Sequence, residues 1–114
     1  MRSFLVTTFV LATICILTSA ACSDPFEDEF SCDKSAQTVN PHCTDTTLTG
    51  DTDDMKNTCR RESGKLVDKC AHGLGGCKAE SEHMTKTLWF FPDETTKTAD
   101  DVKKKCTGMT FVEP

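Results

Sequence analysis

The chain contains no tyrosine, a single tryptophan and, beyond residue 21, no isoleucine. Over residues 22–114, Leu, Val and Phe together fill only 13 of 93 positions. So few large apolar side chains, beside 27% charged residues, exclude an ordinary hydrophobic core as the sole source of stability. No second apolar run follows the first 21 residues, and the first is shorter than the roughly 20 apolar residues a membrane-crossing helix needs. No Gly-x-Ser-x-Gly elbow or His-Glu-x-x-His pair occurs. Nor is there an Asn-x-Ser/Thr acceptor for N-glycosylation.

What the chain does have is cysteine, eight in all. Met1-Arg2-Ser3, the apolar run Phe4 to Leu17 and the small residues Ser19-Ala20-Ala21 predict a signal peptide over residues 1–21. Cleavage between Ala21 and Cys22 would leave one secreted, extracellular domain, residues 22–114. Its compartment is oxidising, so disulfides can supply the stability that the apolar residues do not. Cys15 leaves with the signal, and seven cysteines remain. Cys32, Cys43, Cys59, Cys70, Cys77 and Cys106 form the expected framework of three bridges, with 15 connectivities open. Cys22 is the leftover thiol: free, capped, or joining two chains into a disulfide-linked homodimer. A lipid on Cys22 is disfavoured by Ser19, where a lipoprotein signal carries an apolar residue.

Residues 22–114 carry 12 basic against 18 acidic side chains. Such a surface is a poor match for nucleic acid or an anionic membrane, and membrane insertion is not expected. It suits a basic partner, which Glu27-Asp28-Glu29 could meet, or simple solubility.

The pattern predicts a mainly α fold, a small disulfide-stapled helical bundle with a loop-rich N-terminal part. Pro25 after Ser23 and Asp24 suggests a short helix with Phe26 and Phe30 one turn apart. The threonines and aspartates between Cys43 and Asp54 read as a surface loop, and no clean alternation marks a strand. One helix is expected from Asp51 or Thr52 to His72, with Met55, Cys59, Leu66 and Cys70 on one face. Gly64 threatens to split it, and Gly73 ends it. A second, over residues 78–91, puts Met84, Leu88 and Phe91 on one stripe before Pro92. A third starts at the box Thr98-Ala-Asp-Asp101, carries Val102 and Cys106, and stops at Gly108. If the second and third helices pack antiparallel, Cys77 and Cys106 lie level and can bridge. Cys59 and Cys70, about 16 Å apart along one helix, cannot bond each other. They would tie that helix elsewhere, Cys32 and Cys43 being candidates.

Catalytic and metal motifs are wanting. Gly73-Leu74-Gly75-Gly76 lacks the Lys and Ser/Thr of a phosphate loop. Cys70-x-His72-x4-Cys77 offers ligand types, but its sulfurs are expected in disulfides. Asp51-x-Asp53 begins like a calcium loop, yet Met55 and Lys56 fall where an oxygen ligand and a glycine are required. No enzyme activity, cofactor or metal site is expected. Leu88-Trp89-Phe90-Phe91-Pro92 is the one binding candidate. Four consecutive large apolar residues exceed a helix stripe, so Leu88 and Phe91 go to the core and Trp89 and Phe90 form a candidate exposed patch.

The spacing Cys70-x6-Cys77-x28-Cys106, with Cys77-Lys-Ala-Glu and Phe90-Phe91-Pro92-Asp93-Glu94, resembles the C-terminal half of the microplusin and hebraein group of tick secreted antimicrobial proteins. The resemblance implies a disulfide-linked helical bundle in arthropod blood or saliva, and copper sequestration through histidine-rich ends. This chain has no histidines at its ends, and no residue carries over as a copper ligand. Two functions follow as expectations. The first is a non-enzymatic venom or saliva effector, toxin-like, that binds an extracellular protein target such as a receptor, channel or host protein. The second is a host-defence antimicrobial protein, acting by metal sequestration.

Overall fold

Threonines and aromatic residues, rather than helical periodicity, decide the backbone. The computed structural model describes residues 27–114 and is built on six strands. In chain order they are β1 Glu27–Lys34, β2 His42–Thr49, α1 Asp53–Arg61, β3 Lys65–Val67, β4 Gly76–Glu80, β5 Met84–Phe90, α2 Ala99–Lys105 and β6 Thr110–Val112. All pairings are antiparallel, in the order β3-β1-β2-β5-β4-β6. The expected helical bundle is therefore corrected to a mainly β fold with two short helices. The signal segment, Cys22 and Phe26 lie outside the described residues.

Each misplaced helix has a local cause. The stripe Met84, Leu88, Phe91 fits a helix, but Thr85, Thr87, Leu88, Trp89 and Phe90 also suit a pleated surface, where β-branched and aromatic residues pack well. The strand prevails, and residues 78–91 become the β4–β5 hairpin. The supposed loop at Thr44, Thr46, Thr47 and Thr49 is β2, pairing with β1 over eight residues. Phe30 belongs to β1 rather than to a helical turn. The helix expected to reach His72 stops at Arg61. Ser63 adopts a left-handed φ of 63°, and the Gly64 amide turns back to the Cys59 carbonyl at 2.8 Å. No side chain fits at Gly64, where a Cβ would lie 2.6 Å from the Cys32 sulfur. The third helix forms as α2, with Thr98 and Asp101 capping each other reciprocally.

The topology repeats itself. β1, β2, α1 and β3 make one ββαβ unit in which the third strand returns beside the first; β4, β5, α2 and β6 make another. The units meet at β2 and β5, where Thr44 pairs with Leu88. Across the sheet at that level runs one row: Leu66, Cys32, Thr44, Leu88, Cys77, Phe111. It has an apolar residue at either end and a cysteine next to it. A pseudo-two-fold axis through the Thr44–Leu88 pair relates the halves. Each inner cysteine holds its own unit's helix to the same face: Cys32 bonds Cys59 and Cys77 bonds Cys106, at sequence separations of 27 and 29. Cys77 reaches Cys106 from a strand, not from an antiparallel helix. The third bridge, Cys43–Cys70, straps the segment between the units across the opposite face.

Both faces carry apolar packing. Under α2, Phe90, Val102 and the Cys77–Cys106 bridge pack with Leu74, Leu88 and Phe111. On the other face Trp89 packs with Cys43, Cys70, Val67, Phe91 and Val112. Asp45 accepts hydrogen bonds there from the Trp89 indole at 2.8 Å, the Cys70 amide at 3.0 Å and the Ser31 hydroxyl.

Candidate functional site

The two units share a plan but differ in filling. In the second, Val102 of α2 is fully buried and Phe90 is 6% exposed, closing the space between helix and sheet. The two-fold partner of Phe90 is Thr46, two residues along β2 from the axis as Phe90 is along β5. The counterpart of Val102 is Met55, each lying four residues before its helix's bridged cysteine. A phenyl ring in one half thus corresponds to a threonine in the other. Between α1 and the sheet lies an open trough of about 430 Å³, at whose floor Thr46 is itself buried, 3% exposed. Its floor is Phe30, Thr44, Thr46, Leu88 and the Cys32–Cys59 bridge, and its wall is the face of α1 bearing Asp54, Met55, Thr58 and Glu62.

Charged groups mark the two ends. At the end of α1, Lys34 Nζ meets Glu62 at 2.5 Å, and the lysine's hydrogen bond holds the Glu62 carboxyl below its usual range. His42 lies beside them, its Nδ1 donating to the Asn40 carbonyl at 2.7 Å. Near the start of α1, Asp28 binds Thr52 and Lys56; the Thr52 hydroxyl, then Lys56, lowers its pKa. Asp53 and Asp54 lie in the first turn of α1, where exposed amides favour acids. Lys86, on the floor strand beside Thr46, takes part in no ion pair among the described residues.

The expected patch is not on the surface. Trp89 and Phe90 are each 6% exposed, on opposite faces of β5, each in a different core. Leu88 and Phe91, assigned from sequence to the core, are the half-buried pair. The reversal follows from strand alternation: Phe90 lies beneath α2, while Trp89 lies beneath the strap held by Cys70 and stacks on His72 at 4.0 Å. The most exposed large apolar side chain among the described residues is Val39, 81% exposed in the β1–β2 connection. His42, His72 and His83 stand apart, and no three potential metal ligands gather among the described residues.

Sequence reasoning missed Phe30, Thr46, Met55 and Lys86 as lining residues. Cysteine spacing did not point to them, because the three bridges span near-equal separations of 27, 27 and 29 residues and do not single out Cys32 as the counterpart of Cys77. The chain matches no known protein family, no characterised protein and no solved structure.

Proposed function

We propose that the protein is secreted and acts outside the cell by binding, as a non-enzymatic effector of the venom or saliva type, with the trough as its recognition site. One observation carries this reading. A disulfide holds α1 above the sheet, and an open trough of about 430 Å³ lies between them. A cavity kept open by a covalent strut needs little reorganisation to receive a ligand, which lowers the cost of binding. The test is a photo-crosslinking residue at position 58, on the rim of the trough, with position 107 as control. Exposed to blood plasma and washed host membranes, position 58 is expected to give saturable adducts, read by mass spectrometry, that position 107 does not. Equal adducts at both positions, or none at 58, would overturn the assignment.

A second reading, with a protein surface as the target, is favoured by Val39. The Ser35 and Gln37 amides and the Gln37 side chain brace its loop, and a projecting aliphatic residue on a braced loop suits a small apolar pocket. Val39→Asp is expected to abolish saturable binding to such a target without changing the melting temperature.

A further inference from the structure

We infer that the loop between Cys32 and Cys43 is an inhibitory loop that presents Val39 to the specificity pocket of an elastase-type serine protease. The inference rests on Val39 meeting a protein surface, and adds the class of that protein.

The side chain comes first. Val39 is 81% exposed in the β1–β2 connection, and the left-handed Asn40, at a φ of 51°, turns the chain directly after it. The other exposed large apolar residue among those described, Met109, reaches only 37%. A small aliphatic side chain held clear of the surface matches the small specificity pocket of elastase; trypsin's pocket is built for a cation.

The backbone comes second. The amides and carbonyls of Thr38 and Val39 make no hydrogen bond among the described residues. They are open to strand-like pairing with a protease cleft, in which main-chain bonds supply affinity and a pocket supplies specificity. On either side of them the loop is fastened. The Gln37 amide and side chain donate to the Lys34 and Glu62 carbonyls at 3.2 and 3.1 Å, and the Phe91 amide donates to the Pro41 carbonyl at 3.1 Å. Cys32 and Cys43 anchor the two feet covalently, one to α1 and the other to the strap. A tip braced in this way has little freedom left to lose on binding.

Persistence separates an inhibitor from a substrate. The protease's serine oxygen adds to the Val39 carbonyl carbon, the Val39–Asn40 bond breaks, and the serine proton passes to the Asn40 nitrogen. Below the cut, Lys34 and His42 remain paired across β1 and β2, so the new amine stays beside the acyl group. Held there, it competes with water. Its attack on the acyl carbon re-forms the peptide bond, returns the proton to the serine and leaves the complex intact.

The experiment is inhibition of pancreatic elastase by the oxidised protein, followed with a chromogenic peptide substrate, with trypsin as the specificity control. Competitive one-to-one inhibition of elastase is expected, roughly a hundredfold stronger than that of trypsin. Val39→Arg should reverse the preference, and Val39→Asp should lose both activities. Because Val39 is so exposed, both variants should keep the parent's melting temperature. Absence of elastase inhibition, undiminished inhibition by Val39→Asp, or full cleavage at Val39–Asn40 without inhibition overturns the inference. Saturable, Val39-dependent binding to another host protein without elastase inhibition would remove the protease class and leave the docking role of Val39. Absence of both would remove both.

Discussion

Asp45 shows how much one side chain carries in a chain so short of apolar residues. Its carboxylate gathers the Trp89 indole, the Cys70 amide and the Ser31 hydroxyl, from β5, the inter-unit strap and β1. Asp45→Ala would strand three donors where water has little access, a loss of about 2–4 kcal/mol. The check is urea denaturation followed by Trp89 fluorescence, which should show a lower midpoint and an altered native signal. Four other carboxylates make stability depend on pH. Asp28 and Glu62 are lowered chiefly by side-chain hydrogen bonds from Thr52 and Lys34, and Asp93 and Asp101 by the backbone amides of Thr95 and Lys97. Each binds its proton less readily in the folded chain than in the unfolded one, so acid favours unfolding. Their contribution is complete above the ordinary carboxylate values of 3.8 and 4.5 and is lost as pH falls through the lowered folded ones. Melting temperature measured from pH 7 down to pH 2 should therefore decline below about pH 4.5, and Asp101→Asn should soften that decline. Of these residues only Asp101 was legible beforehand, because a capping box is a local signal. Asp45 was not, since its three donors lie 14, 25 and 44 residues away.

At the scale of elements, the two helices depend on the sheet in different ways. α2 has seven residues, a reciprocal cap and three lysines in its last turn, and Val102 fixes it to the core. α1 has nine residues and no side-chain cap at Thr52, whose hydroxyl goes to Asp28 instead. An isolated helix that short is not stable in water, so the Cys32–Cys59 bridge is the principal tie holding α1 over the open trough. Replacing both cysteines with serine is expected to cost about 3.5 kcal/mol, from the closed-loop length, and to melt α1 selectively. Hydrogen exchange should accelerate at residues 53–61 while the β4–β5 amides stay protected; uniform acceleration would contradict this. Helical signals in the sequence succeeded where they were local, at Thr98 and Asp101. They failed at residues 84–91 because the Met84–Leu88 spacing of four also satisfies a period of two, and partner strands, not the segment itself, choose between the periods. β1 was illegible for a stronger reason: Glu27, Asp28 and Glu29 are poor strand formers, and the segment is extended because β2 flanks it throughout and β3 along part of its other edge.

At the scale of the whole molecule, the described residues form two ββαβ units joined edge to edge, with one bridge per helix and a third across the strap. Each bridge closes a loop of similar length, at about 3.5 kcal/mol. Their sum rivals the entire stability expected of a domain this size. Full reduction under native buffer is thus expected to unfold the chain, visible as loss of strand signal in circular dichroism and dispersal of the amide spectrum. Retention of the sheet after reduction would show that the two small cores suffice.

Reliance on cross-links was determined by the sequence alone, because composition is a property of the chain and thirteen large aliphatic and phenyl side chains cannot stabilise 93 residues unaided. So was the start of α2, because a cap acts within a few residues of itself. Sheet order, the burial of Trp89 and Phe90 on opposite faces, and the trough beneath α1 were decided only by the tertiary structure. Each depends on which strand lies alongside, and strand pairing joins residues that no local pattern connects.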